Sequence, residues 1–168
     1  MDFSQVYDEF FPRIYAYIRC RTSCDAAAED IASGVFQKAL AKSAQYDSRR
    51  GSMAQWLFGI ARNEVNYHLR KSAIWHFLSL ENFEMLADKH KPVLDSISSD
   101  EEKAALLSAL EKLDARSRDI VTLKFYSEMT NREIARITGL TESNAGTILY
   151  RCMAELRRHL AGGANDAR

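Results

Sequence analysis

The stretch TNREIARITGLTESNAGTILYR, Thr130 to Arg151, constrains the chain most, because a helix start, a helix stop and a second start fall between Thr130 and Thr141. Thr130 can accept from the backbone of a first turn while Glu133, three residues on, reaches back to the Thr130 amide, the reciprocal arrangement that begins a helix. Ile134, Ile137 and Leu140 follow at helical spacing, and Ala135 is small enough to let a second helix approach. Gly139 can take the left-handed conformation that stops the first helix. Thr141 can cap the next one. Ala145, Ile148, Leu149, Cys152, Met153, Leu156 and Leu160 then draw an apolar stripe along it. The pattern predicts a helix-turn-helix whose second, recognition helix runs from Thr141 to about Leu160. An ordinary helical hairpin is the competing reading of the pattern alone.

The rest of the chain reads as helix too. Only Pro12 and Pro92 punctuate 168 residues, and strand-like alternation is scarce. Two amphipathic segments, Phe3 to Phe10 and Pro12 to about Arg21, are expected first, with Pro12 in the first turn of the second. A long helix from Cys24 follows, with Ala28, Ile31, Val35, Phe36 and Leu40 near one face. The break comes at YDSRRGS, after which Ser52 can cap a helix carrying Trp56, Leu57, Ile60, Ala61 and Val65 at helical period. The pattern weakens from Ser79, where Pro92 and scattered acids read as a linker. Ser99 with Glu102 forms a second capping box, and Asp114 can cap one more helix before the helix-turn-helix. The predicted fold is all-α: two small helical domains, 1–78 and 99–161, joined by a flexible linker, 79–98, with a frayed tail, 162–168. The C-terminal domain carries the helix-turn-helix.

Composition removes several classes. An apolar share of 46% excludes a wholly disordered chain. No charged-then-apolar leader and no apolar run of about 20 residues occurs, so a cytoplasmic location is expected. Three cysteines, Cys20, Cys24 and Cys152, fit reduced thiols; Cys20 and Cys24 lie one helical turn apart but lack the further ligands a metal needs nearby. His68, His76, His90 and His159 are dispersed, and no Gly-rich phosphate loop or nucleophile motif occurs. No enzyme, cofactor, metal site or small-molecule substrate is expected. Lys plus Arg equals Asp plus Glu, 23 each, so the formal net charge is zero. A chain that held duplex DNA by itself would carry a basic excess, because phosphate neutralisation supplies most non-specific affinity. Either the hairpin binds something else, or another molecule supplies the missing affinity.

Taken in order, these pieces resemble the extracytoplasmic-function (ECF) group of bacterial RNA polymerase sigma factors, over almost the whole chain apart from linker and tail. AAAEDIASGVFQKAL is similar to the family's DAEDLTQEVFLKA helix, and GSMAQWLFGIARNEVNYHLRK to its W-L-x-x-I-A-R-N helix. The segment from LEKLDARSRD to ELRRHL is similar to its C-terminal scheme, L-x-x-L-P, E-I-A, L-G-I-S, V-K-S-R. Departures occur where Ser33 and Gly34 replace Gln and an acid, Asn66 replaces Asp, Asp114 replaces Pro, and Ala145 to Ile148 replace Val-Lys-Ser-Arg.

The resemblance implies partners and sites. A sigma factor works within a holoenzyme, where core polymerase supplies much of the DNA contact, so a neutral recognition helix need only discriminate. Ser143, Asn144, Thr147 and Arg151 are the expected readers of the upstream (minus-35) element, with Arg132 and Arg136 on phosphates and Glu142 able to accept from cytosine. For unpaired bases of the downstream (minus-10) element the expected residues are Tyr46, Ser48, Arg49, Arg50 and Ser52 of the loop. Arg62, Asn63, Asn66, Tyr67 and Arg70, with Lys71, follow on the next helix. Glu29, Asp30, Ser33 and Gln37 lie on the helix expected to meet the coiled coil of the polymerase's largest subunit. Trp56 is expected in the core. An anti-sigma factor covering both domains is the further expected partner. Two alternatives remain: a sigma mimic that binds an anti-sigma factor or polymerase without reading DNA, and a stand-alone helix-turn-helix regulator.

Overall fold

A computed structural model describes residues 2–22, 24–78 and 100–163. The chain divides into two compact units. All regular structure among the described residues is helical; the expected linker, 79–98, and the Ser99 cap lie outside those residues.

The first unit packs three helices, α1 (Phe3–Arg21), α2 (Asp25–Ala41) and α3 (Met53–Leu78), each against the other two. The two expected N-terminal segments are in fact one helix, started by the Asp2 carboxylate accepting from the Ser4 amide at 3.0 Å and running through Pro12. A proline inside a helix removes one backbone bond and crowds the carbonyl four residues back. Here the two halves bury the same side: Phe10, Ile14 and Ile18 are in the core, while Tyr7 and Phe11 lie 4.8 and 5.8 Å from the Phe36 ring of α2. The buried face shared by residues on both sides of Pro12 offsets the lost bond.

On α2 the buried residues are Ala28, Ala32, Val35, Phe36 and Ala39. Three alanines among them let α1 and α3 approach closely. Leu57, Phe58, Ala61 and Val65 of α3 close the core, with Phe58 edge-on to Tyr17 at 5.6 Å. Leu40, expected on the buried face, is 55% exposed, and Ile31 and Ile60 are half-buried. Helical period gives a face but not how far a neighbouring helix covers it.

The second unit contains α4 (Asp100–Glu111), α5 (Ala115–Ser127), α6 (Asn131–Thr138) and α7 (Glu142–Gly163). Ile120, Val121, Leu123, Ile134 and Ala145 are among its most buried side chains. Helix α7 runs into the tail expected to fray, and Leu160 on it is 41% exposed. Asp114 caps α5, its carboxylate accepting from the Arg116 and Ser117 amides at 3.0 Å each. The Arg118 guanidinium turns back to the last carbonyls of α4, Leu110 at 2.8 Å and Glu111 at 2.6 Å, satisfying groups that the helix end leaves open. One side chain at each end therefore fixes the α4–α5 corner.

Hydrogen bonds, first from Ser117 and then from Arg116, hold the Asp114 carboxyl below the usual aspartate range. A depressed folded-state pKa stabilises the fold above the ordinary aspartate value and loses that contribution as pH falls through the folded value. Asp114→Ala is expected to cost about 1 kcal/mol at pH 7, and the gap from wild type to narrow below about pH 4. Urea unfolding followed by helical circular dichroism measures it; a gap that does not change with pH contradicts the assignment.

Candidate nucleic-acid interface

Local bonds build the helix-turn-helix. The Thr130 amide donates to Glu133 Oε2 at 2.8 Å, and the Glu133 amide donates to Thr130 Oγ1 at 3.3 Å. Donation from Thr130 holds the Glu133 carboxyl below its usual range. Gly139 sits at φ 73°, where a Cβ would be strained, and the Leu140 amide then donates to the Ala135 carbonyl at 3.0 Å. Thr141 Oγ1 accepts from the Asn144 amide at 3.2 Å to begin α7. Ala135 and Ala145 are both buried, which lets the two helices pack through small side chains.

Ser143, Asn144, Thr147 and Arg151 are all exposed on α7, and Arg132 and Arg136 are exposed on α6. The Thr147 hydroxyl donates to the Ser143 carbonyl at 3.0 Å, which leaves its methyl group and lone pairs for a partner. Ile148, placed in the apolar stripe, is half-buried. Arg132 Nε donates to Glu142 Oε2 at 3.1 Å, an exposed pair that binds a phosphate candidate to the only acid in the first turn of α7.

Pattern analysis missed one residue on this surface. Tyr150 is 79% exposed, the highest value for any large apolar side chain among the described residues. An aromatic residue on an amphipathic helix reads as core. Its register was the available signal: Tyr150 falls three residues after Thr147 and seven after Ser143, on their side of α7, not in the stripe of Ala145, Leu149 and Cys152.

In the first unit the loop before α3 is pinned at both ends. The Tyr46 hydroxyl donates to the Gly51 carbonyl at 3.3 Å, and its ring lies 5.4 Å from Trp56, which is half-buried. The Asp47 carboxylate accepts from the Arg49 amide at 3.0 Å and from its guanidinium at 2.9 Å. Arg49 therefore folds back on its own turn, and its side chain lowers the Asp47 pKa. Ser48 and Arg50 are exposed. Ser52 and Gln55 cap α3 reciprocally, at 3.0 and 3.2 Å. On α3, Asn63, Tyr67 and Arg70 occupy one exposed face at i, i+4 and i+7, with Lys71 exposed alongside, whereas Arg62 is half-buried.

Asn66 differs from the rest. Its side-chain oxygen accepts from the buried Arg21 guanidinium at 3.1 Å, tying α1 to α3. An uncapped guanidinium in the interior would be costly, so this amide has a structural duty to a neighbouring helix. Sequence spacing within α3 could not reveal a partner 45 residues away.

Glu29, Asp30, Ser33 and Gln37 are exposed along α2. Gly34 leaves open space beside them, with nothing within 4 Å of where a Cβ would stand. Cys20 and Cys152 are buried and Cys24 is half-buried. Burial pushes the Cys152 thiol up. Among the described residues no cluster of His, Cys, Asp and Glu could hold a metal ion, and no helix is long and apolar enough to cross a membrane.

Glu142→Gln is expected to release Arg132 with little effect on folding, since exposed pairs contribute about 0–1 kcal/mol. Affinity for labelled duplex DNA at low salt, measured by fluorescence anisotropy, is expected to rise severalfold and the gain to fade as salt rises. An unchanged affinity would show that the pair does not withhold Arg132 from phosphate.

Comparison with known proteins adds two matches within the chain. Sigma-70 region 2 matches residues 6–73, and Sigma-70, region 4 matches residues 103–156. The ECF RNA polymerase sigma factor BldN of Streptomyces coelicolor is 32% identical over 164 residues, covering 96% of this chain; the chain spans 61% of that relative's length. The ECF RNA polymerase sigma factor RpoE of Cereibacter sphaeroides is 26% identical over 159 residues, with 95% of this chain and 86% of that one covered. Among solved structures, the sigma factor RpoE in complex with the anti-sigma factor NepR from Bartonella quintana shares the fold. The TM-score is 0.80 at 24% identity, over 95% of this chain and 97% of that one.

Proposed function

The chain belongs to the ECF group of the sigma-70 family, and from that premise we propose that it joins core RNA polymerase in the cytoplasm and directs promoter-specific transcription initiation. It acts as an initiation factor, with no catalytic step of its own. The observation that carries this reading is the pairing of an exposed, hydrogen-bonding recognition helix with a net charge of zero. Such a helix can discriminate base edges but cannot supply the phosphate attraction that duplex binding needs. A polymerase partner supplies it.

In this reading α6 and α7 meet the upstream element. Ser143, Asn144, Thr147 and Arg151 face the bases, and Arg132 and Arg136 lie toward phosphates. The loop from Tyr46 to Ser52 and the outer face of α3 receive unpaired bases of the downstream element. There Arg50, Arg70 and Lys71 hold backbone, while Asn63 and Tyr67 offer an amide and a ring to a splayed base. Arg62 and Arg49 take secondary places because both side chains are engaged or half-buried. Asn66 acts by keeping Arg21, and with it α1, in position. The acids of α2, Glu29 and Asp30, with Ser33 and Gln37, present the docking face to polymerase. An anti-sigma factor that covers these surfaces is the expected control. The charge balance also stands against a regulator acting alone.

Multi-round transcription from a promoter-fragment library, with core polymerase with and without the protein, tests the proposal. Transcripts that require the protein and disappear with Arg50→Ala Asn63→Ala are expected. Both side chains are exposed, so the double variant keeps its fold and its hold on core. Core binding without any transcript would favour a sigma mimic, and neither binding nor transcript would overturn the sigma assignment.

A further inference from the structure

Arg21 ends α1 with its side chain inside the protein, 5% exposed. A buried guanidinium needs acceptors. Among those it finds are the Tyr17 hydroxyl, at 3.4 Å, and Asn66 Oδ1 of α3, at 3.1 Å. Tyr17 is itself fully buried and lies edge-on to Phe58 of α3 at 5.6 Å, so the guanidinium is held from both helices.

That bond decides which way round the Asn66 amide stands. An amide accepts at its oxygen and donates at its nitrogen, whereas a guanidinium only donates. With the two ends exchanged, donor would face donor and the buried charge would lose an acceptor. The oxygen is therefore fixed toward Arg21 and the nitrogen points away from it. This nitrogen bonds to none of the described residues, and it is not among the buried side-chain atoms left without a partner, so it reaches solvent. Asn66 stands three residues after Asn63 and four before Arg70, its neighbours by helical spacing on the outer face of α3, and both are exposed. Asn63 makes no bond that fixes its amide among the described residues and can turn end for end.

We propose that Arg21, although buried, sets a base preference of α3 by holding Asn66 as a hydrogen-bond donor. The inference rests on the reading that this face of α3 receives unpaired bases. A fixed donor favours a base that presents a keto oxygen, as thymine and guanine do, and opposes the amino group of cytosine or adenine with a like donor. Asn66 is the specificity-determining residue and Arg21 the positioning residue. A carboxylate would invert the rule: aspartate at position 66 gives one oxygen to Arg21 and turns the other outward, as an acceptor for an amino group.

The test uses holoenzyme assembled from core polymerase and the full chain. Its probes are promoter fragments whose upstream part is duplex and whose downstream element is a randomised single strand, each strand being tried in turn; bound fragments are sequenced. Wild type is expected to favour thymine or guanine severalfold at one position. Asn66→Asp keeps an acceptor for Arg21 and is expected to reverse that preference toward cytosine or adenine, at that position alone. Asn66→Ala is expected to erase it there and leave the other positions as they were. Arg21→Met, which removes the donor and leaves Asn66 in place, is expected to flatten the same position. Preferences are ratios within one sample, so a smaller folded fraction in a variant does not alter them. Preferences unchanged at every position in Asn66→Asp and Asn66→Ala, with binding lowered uniformly or not at all, would overturn the proposal and leave Asn66 as a strut between helices. So would a responsive position at which wild type favours cytosine or adenine. Wild-type holoenzyme that selects no sequence would instead defeat the sigma reading beneath it.

Discussion

Phosphate attraction is the term this chain lacks, and the remaining architecture follows from that shortage. With 23 cations against 23 acids, no long-range field draws it to a polyanion. What remains is local placement: Arg132 and Arg136 on α6, Arg151 and Arg157 on α7, Arg50 and Arg70 in the first unit, all exposed. Several acids sit among them. Glu142 holds Arg132 and Asp47 holds Arg49. In the proposed reading, such a surface discriminates once a larger partner has brought it to DNA.

Placement of that kind requires rigid helix ends. The capping box at Thr130, the left-handed Gly139 and the Thr141 cap fix the angle between α6 and α7 within a dozen residues or so, and the buried Ala135 and Ala145 set their separation. Asp114 and Arg118 do the same for α4 and α5. In the first unit, small side chains on α2 and the aromatic cluster around Phe36 serve the equivalent purpose. Each exposed candidate on α6 and α7 stands one or two places from a buried residue.

Features governed by neighbours in sequence were readable from the sequence. Both caps of the helix-turn-helix, the Asp114 cap and the Ser52 cap involve partners within three residues, and each forms as its spacing implies. Features decided between helices were not. Pro12 reads locally as a helix start, yet a core face shared by Phe10, Ile14 and Ile18 carries α1 through it. Asn66 reads as a surface amide until α1 brings Arg21 to it. Leu40 and Leu160 carry the right period at helix ends that no neighbour covers. Tyr150 escaped notice because residue type and register gave opposite signals.

The central claim is that DNA affinity belongs to the assembly and selectivity to this chain. Anisotropy titrations of one promoter fragment with the protein alone, with core polymerase alone and with both, across a range of salt, test it directly. The account predicts only weak, unselective binding by the protein alone, confined to low salt, unselective binding by core, and tight, sequence-selective binding only when the two are combined. Tight, selective and steeply salt-dependent binding by the protein alone would contradict it.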